Sequence, residues 1–352
     1  MISLKKAAQA MKAYSTLSRD QGIRLDSNES DNFLFDQPIA FDGEWERYPE
    51  NHAETLKHAL ASELNVSPEQ LLIGNGSSEI LDWAIKSIVN PGHTVLTAGP
   101  TFSMYKFYAT LHDTQYKEVP LNEDFTFPET AFLEAIKTEQ PELIILCSPN
   151  NPTGGQIPHA TLLKIIQATN VPIIIDEAYY EFTVDTKTWI DEVETYPHII
   201  VTRTFSKAFG LASIRLGYAV TSAKNVTQLN RTKTPYNVNA LSQFMGLKAL
   251  EKKAAMAPYI ASVRKRRDAL KVTLESFGFT VYPSNANFLL TEHALPDLTR
   301  RLRDKNILIR PFDLGRPFYR ITIGTESEVA ALIQALKEII DEANTSEKDA
   351  RN

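Results

Sequence analysis

Two stretches decide the fold: Pro172-Ile173-Ile174-Ile175-Asp176-Glu177-Ala178-Tyr179 and Ile199-Ile200-Val201-Thr202-Arg203-Thr204-Phe205-Ser206-Lys207. Each opens with an apolar, β-branched run and stops at residues able to do chemistry. Runs apolar on every residue read as strands covered on both faces. A lysine just beyond a strand end, flanked by the hydroxyls of Thr204 and Ser206 and followed by Arg215, suits a carbonyl cofactor that carries a phosphate. The amine can form a Schiff base. The hydroxyls and the guanidinium can bind phosphate oxygens. Asp176, ending the other run, can pair with a protonated pyridine nitrogen.

Outward from these runs, short apolar segments alternate with helical patterns. Strands are predicted at 71–73, 94–96, 143–147, 172–175, 199–202 and 216–220, and helices near 79–89, 102–111, 159–168 and 242–252. That alternation argues for an α/β domain with a mostly parallel sheet flanked by helices. After about residue 255 the pattern changes to a long helix at 259–277, strands at 280–282, 287–290, 307–309 and 319–323, and helices at 295–304 and 326–342. This reads as a smaller α+β domain. The predicted division is a large domain over 46–258 and a small one from 1–45 with 259–352.

The chain has 352 residues, 43% hydrophobic, enough for a sizeable core. Its net charge of -6 speaks against nucleic acid as a partner. The single cysteine, Cys147, lies inside an apolar run, which excludes an intrachain disulfide and points to a buried, inert thiol. The first residues lack a signal-peptide core, and no apolar run is long enough to span a bilayer. A cytoplasmic protein without membrane contact is the default expectation.

Further segments fall just after predicted strands, where open α/β sheets bind ligands. Gly74-Asn75-Gly76-Ser77-Ser78 leads from a strand into a helix, whose free amides attract phosphate. Ser148-Pro149-Asn150-Asn151-Pro152-Thr153-Gly154 follows another strand and offers Asn151 to a phenolic oxygen. Taken singly, each feature has an ordinary explanation. Ser77 or Ser78 can be an N-cap, the Asn151 loop is made of common turn residues, and Phe102 can be core. Tyr179 can be a packed aromatic, Lys207 a solvated lysine and Arg215 half of a surface ion pair. Their order, each at a strand end, favours one site. Four apolar residues before Asp176 imply burial, and a buried carboxylate needs a partner.

With these motifs the chain resembles the fold-type I, pyridoxal phosphate-dependent aminotransferases of class I and II, most closely the histidinol-phosphate aminotransferase branch of histidine biosynthesis. The resemblance runs from Leu25-Asp26-Ser27-Asn28-Glu29-Ser30 to Tyr319-Arg320-Ile321-Thr322-Ile323-Gly324. It implies that Lys207 binds the cofactor covalently and shuttles a proton, and that Asp176 pairs with the pyridine nitrogen. Asn151 and Tyr179 would bond the phenolic oxygen, with Phe102 stacked on the ring. Ser77, Ser78, Thr204, Ser206 and Arg215 would hold the phosphate. Tyr48 matches a tyrosine that reaches the neighbouring subunit's phosphate, so a homodimer with composite sites is implied. Arg320 matches an arginine that grips the substrate carboxylate, and Arg310 one that binds the distal phosphate. Asn28, Asn287 and Tyr14 match positions of the substrate pocket.

The family's Tyr-x-Pro-Gly-Lys reads Tyr14-Ser15-Thr16-Leu17-Ser18 here, its Ser-Asn-Glu-Asn-Pro reads Ser27-Asn28-Glu29-Ser30-Asp31, and Ser213 replaces a usual glycine. The implied reaction is transamination between histidinol phosphate and 2-oxoglutarate, giving imidazole acetol phosphate and glutamate, or the reverse. The alternatives are an aromatic amino acid aminotransferase and a threonine-phosphate-type decarboxylase on the same scaffold. The intact set Lys207, Asp176 and Arg215 argues against a non-catalytic binding protein. A nicotinamide dehydrogenase is disfavoured because no G-x-G-x-x-G follows a strand.

Overall fold

The computed structural model describes residues 2–9, 11, 22–35, 37–41, 43–184 and 187–349. Twelve strands form two sheets among the described residues: β1 Ile23–Leu25, β2 Leu71–Gly74, β3 Thr94–Gly99, β4 Gln115–Pro120, β5 Leu143–Cys147, β6 Ile173–Asp176, β7 Ile199–Thr204, β8 Gly217–Val220, β9 Thr280–Val281, β10 Phe288–Glu292, β11 Ile307–Asp313 and β12 Pro317–Thr322. The large sheet has the order β2-β8-β7-β6-β5-β3-β4. Strands β4, β3, β5, β6 and β7 are parallel, and β8 runs antiparallel to both β7 and β2.

The apolar runs make this sheet because they are hydrophobic on both faces. Ile173, Ile175, Ile199 and Val201 enter one buried cluster, while Ile174 and Ile200 enter the other. Alternate residues of one strand thus serve cores on opposite sides of the sheet. The helix Ser77–Ile88 buries Ile80, Leu81, Ala84 and Ile85, spaced at three to four residues, on the second of these cores.

The predicted strands of both sheets recur with shifts at their ends. Strand β4 was not predicted. Its sequence Gln-Tyr-Lys-Glu-Val-Pro is exposed or half-exposed throughout, and as an edge strand it pairs only with β3. The helices Glu54–Leu64 and Glu129–Glu139 also escaped prediction; their apolar stripes are short, Leu56-Leu60 in one and Phe132-Ile136 in the other.

The small sheet has the order β1-β11-β12-β10-β9. Strand β1 lies parallel to β11, which fastens the N-terminal segment to C-terminal elements. Position 259 falls inside the first turn of helix Met256–Ser276, which packs on β9, β10 and the C-terminal helix Glu326–Asp349. Arg310 on β11 stands opposite Arg320 on β12 in the antiparallel register.

Behind the carboxyl ends of β6 and β7 lies a buried ion pair. Arg203 Nη2 and Nε reach Glu177 Oε2 at 2.7 and 3.0 Å, and Tyr180 lies 3.9 Å beneath the guanidinium. Glu177 also accepts the Trp189 N–H and the Thr188 hydroxyl. The pair therefore ties β6 to β7 and to the loop at 188–189. Removing one member strands the other charge away from water. Arg203→Met should cost about 3–5 kcal/mol of unfolding free energy, read as a lower denaturant midpoint.

Candidate active site

The parallel strands end on one side of the sheet, and the chain order reverses between β3 and β5, which leaves a crevice there. A cavity of about 310 Å³ fills it. The segments after β2, β3, β5, β6 and β7 all contribute to its lining, and the small sheet closes it with Arg310, Phe312 and Arg320. Of the residues singled out from sequence, Ser77, Ser78, Phe102, Asn151, Asp176, Tyr179, Thr204, Ser206, Lys207, Arg215, Asn28, Arg310 and Arg320 line this one space.

Gly76, with φ of +79°, is the N-cap of the 12-residue helix Ser77–Ile88, and no side chain caps that end. Ser77 and Ser78 therefore belong to the first turn rather than to the cap. Their N–H groups are among the donors a helix leaves without an intrahelical acceptor. A Cβ at Gly76 would lie 2.8 Å from Arg215 Nη2. On the other side, a Cβ at Gly217 would overlap the Ser77 nitrogen. Glycine at both places brings amides, hydroxyls and a guanidinium together. Arg215 itself has φ of +50° after a short 3-10 turn, and its Nη1 donates to Ser206 Oγ at 3.2 Å. This is an anion cradle by construction.

Asp176 ends β6 on the floor of the cavity, 3% exposed. Its described partners are neutral donors: Tyr105 Oη to Oδ2 at 2.7 Å, and Thr202 Oγ1 and the Ala178 N–H to Oδ1 at 3.1 and 3.2 Å. Burial raises its pKa, and the hydrogen bonds oppose that rise. A carboxylate placed so deep, with only neutral donors, is suited to a cationic heteroaromatic ring above it.

Lys207 projects from the turn after β7. Its Nζ donates to the carbonyls of Ser27 and Asn28, both at 3.1 Å. Burial, with Arg320 and Arg215 nearby, lowers the pKa of the amine to about 7. A neutral amine near neutrality is both a nucleophile and a base. Tyr179 is buried beside it and accepts from Asn28 Nδ2 at 2.9 Å; burial pushes its phenol up to about 12. Cys147 also touches the cavity, and burial lifts its thiol to about 12, so it stays protonated.

Arg320 Nη1 donates to Asn151 Oδ1 at 2.6 Å, and Nη2 to the Asp26 carbonyl at 2.6 Å. Phe102 and Tyr105 meet edge to face at 5.6 Å.

Three expectations need restating. Asn287 does not line the cavity. It is 1% exposed and stands one layer back, where Nδ2 donates to the Asn28 carbonyl at 3.2 Å. It thus supports the segment that forms the wall. Tyr48 is 80% exposed and stacks on Tyr236 at 4.7 Å, on the surface of this chain and outside its cavity. Tyr14 lies outside the described residues. Tyr105, Thr202, Asp26, Glu29 and Phe312 also stand at or next to the cavity, in addition to the residues singled out from sequence. Tyr105 had a usable signal: it follows Phe102 by three residues, in the first turn of the helix Met104–Leu111. Thr202 had another, as a polar residue ending an apolar strand.

The cavity residues fit pyridoxal phosphate: an amine, a buried carboxylate, an aromatic wall and an anion cradle face one space. Comparison with known proteins agrees. The family model described as aminotransferase class I and II matches residues 21–336. A histidinol-phosphate aminotransferase of Christiangramia forsetii is 38% identical over 347 residues, covering 96% of this chain and 95% of the relative. One of Caldanaerobacter subterraneus subsp. tengcongensis is 34% identical over 347 residues, covering 96% and 98%. The crystal structure of histidinol-phosphate aminotransferase from Sinorhizobium meliloti in complex with pyridoxal-5'-phosphate shares the fold, with a TM-score of 0.86 at 23% identity, covering 97% of this chain and 98% of that one. The chain belongs to the class I and II aminotransferases and is a pyridoxal phosphate-dependent transaminase.

Proposed function

We propose that this transaminase exchanges the amino group between histidinol phosphate and 2-oxoglutarate, yielding imidazole acetol phosphate and glutamate, as a cytoplasmic homodimer. Two cations beyond the anion cradle carry the substrate assignment. Arg320 and Arg310 face each other across β11 and β12 and both line the cavity. Glutamate and 2-oxoglutarate bring an α-carboxylate to that place, and histidinol phosphate brings its phosphate ester. A guanidinium fork accepts either planar carboxylate or phosphate oxygens. The names borne by relatives at 34–38% identity support the same assignment. The large domain, on this proposal, spans 46–258, with the rest forming the small one.

In this scheme Ser77, Ser78, Thr204, Ser206 and Arg215 hold the cofactor's phosphate, and Phe102 covers one face of its ring. Asp176 pairs with the ring nitrogen, while Asn151 and Tyr179 bond the phenolic oxygen. The bound cofactor supplies an electron sink for the carbanion formed at the substrate's α-carbon. Lys207 Nζ takes the α-proton and returns it on the other side of the exchange. Arg320 holds the substrate so that this proton faces the amine, and Asn28 and Asn287 keep the N-terminal segment against it. The tyrosine pair Tyr48 and Tyr236 is offered to a second copy, where Tyr48 reaches the partner's phosphate. Its exposure supports this, as does the neighbouring aromatic cluster of Phe41, Trp45 and Phe244. Among the described residues no helix is long and apolar enough to cross a membrane.

A half-reaction screen tests the substrate. The absorbance of the bound cofactor should change with histidinol phosphate and with glutamate, and not with phenylalanine or tyrosine. A response to the aromatic amino acids alone, or release of carbon dioxide without a keto product, would replace the assignment. Arg320→Lys should raise KM for both substrates about tenfold or more, because an ammonium cannot form the fork. Tyr48→Ala should weaken cofactor retention only if subunits share sites, so mixed dimers with a Lys207→Ala partner read it out.

Lys207 also predicts a pH dependence of stability in the cofactor-free protein. Its folded pKa of about 7 lies below the ordinary 10.5. Below the folded value both states hold the proton and the burial penalty is fully present. Between the two values the unfolded chain binds more protons, so stability rises with pH. Lys207→Met should therefore stabilise the cofactor-free protein most near pH 6–7 and lose that advantage toward about pH 10, as read by urea denaturation.

A further inference from the structure

The loop after β3 and the first turn of the helix Met104–Leu111 carry two aromatic side chains three residues apart. Phe102 lines the cavity, and Tyr105 lies beneath it, fully buried and edge-on at 90°. Tyr105 is not part of the cavity lining, yet its hydroxyl donates to Asp176 Oδ2 at 2.7 Å. The other oxygen, Oδ1, already takes Thr202 Oγ1 and the Ala178 N–H. An ionised carboxylate offers about four lone-pair positions. Two are used on Oδ1 and one on Oδ2, which leaves Oδ2 one position for a donor in the cavity.

We propose that Tyr105 is the positioning residue of Asp176: its hydrogen bond keeps the buried carboxylate charged and turns Oδ2 toward the nitrogen of the cofactor ring. This rests on the pairing of Asp176 with that nitrogen. Burial alone favours the neutral acid, whereas a donor to the charged form opposes it. Tyr105 is a dependable donor because burial beside Asp176 holds its phenol well above the ordinary range. Tyr105 is fully buried, so bulk solvent does not stand in for its hydroxyl beneath the carboxylate, and Thr202 donates to Oδ1 rather than to Oδ2. The loop at Phe102 and the short helix Met104–Leu111 that follows it would thus serve the face of the ring, through Phe102, and its nitrogen, through Tyr105.

The test compares two cofactors on the full chain: pyridoxal phosphate, and a carbocyclic analogue in which C–H replaces the ring nitrogen. The parent protein should prefer the natural cofactor. Tyr105→Phe should lower that preference about tenfold by weakening natural cofactor binding, with analogue binding unchanged. The pH titration of the bound cofactor's absorbance should shift with it. A parallel loss for both cofactors would mean that Tyr105 only packs, and would overturn the proposal. If Tyr105→Phe does not fold, Tyr105→His and Tyr105→Leu carry the comparison: preference kept with histidine and lost with leucine supports the role, and equal preference in both overturns it. An Asp176→Asn variant that keeps the full preference would overturn the pairing itself, and the role of Tyr105 with it.

Discussion

The site depends on a carboxylate held out of water. Asp176 sits at the end of an all-apolar strand, between parallel neighbours, with neither bulk solvent nor a described cation to offset its charge. Such a group is tolerated only where hydrogen bonds meet it and a positive charge completes it. The sheet supplies the hydrogen bonds. Register places Thr202 beside Asp176 on β7, and the crossover from β3 brings Tyr105 underneath. On the proposed binding mode the cofactor's ring would supply the positive charge. The neighbouring Glu177 is satisfied by Arg203 on the far side, so adjacent acids in the sequence face separate partners. One serves the scaffold and the other serves the cavity.

This division explains what could be read from sequence. A strand apolar on every residue announces its own burial, and residues just beyond its end must point at whatever the sheet leaves open. Asp176, Asn151, Lys207 and Ser77 were legible for that reason. Strand β4 was not, because an edge strand with one partner needs no apolar face. The helix Glu54–Leu64 was not, because its left-handed entry at Ala53 carries no capping side chain. Arg310 and Arg320 were legible as matches to a family. Their apposition follows from strand register, which sequence alone does not fix.

Other residues were hidden because their neighbours are distant in sequence. Asn287 reads as a pocket residue, yet it spends its amide on the carbonyls of Asn28 and Glu29. The N-terminal segment is held this way from several sides. Thr322 accepts the Asn28 N–H, Ser30 donates to the Lys207 carbonyl, and Asp31 pairs with Arg266 at 3.1 Å. Asn28 adopts φ of +53°, a conformation few non-glycine residues take. That backbone aims its side chain at Tyr179 and its carbonyl at Lys207. A segment that departs from the family's motif at Ser30 and Asp31 is still built into the wall, through contacts of its own.

The charge of the molecule and the charge of its cavity have opposite signs. The chain carries a net -6, while Lys207, Arg215, Arg310 and Arg320 gather around one space. A cleft of this kind concentrates anions against the average field of the protein. The same cations act on Lys207, since Arg320 and Arg215 both disfavour a proton on its amine. Anions that bind those guanidiniums relieve the repulsion, so a filled site makes the amine more basic than an empty one. Charge alone is thus enough to couple the binding of an anionic substrate to the basicity of this amine.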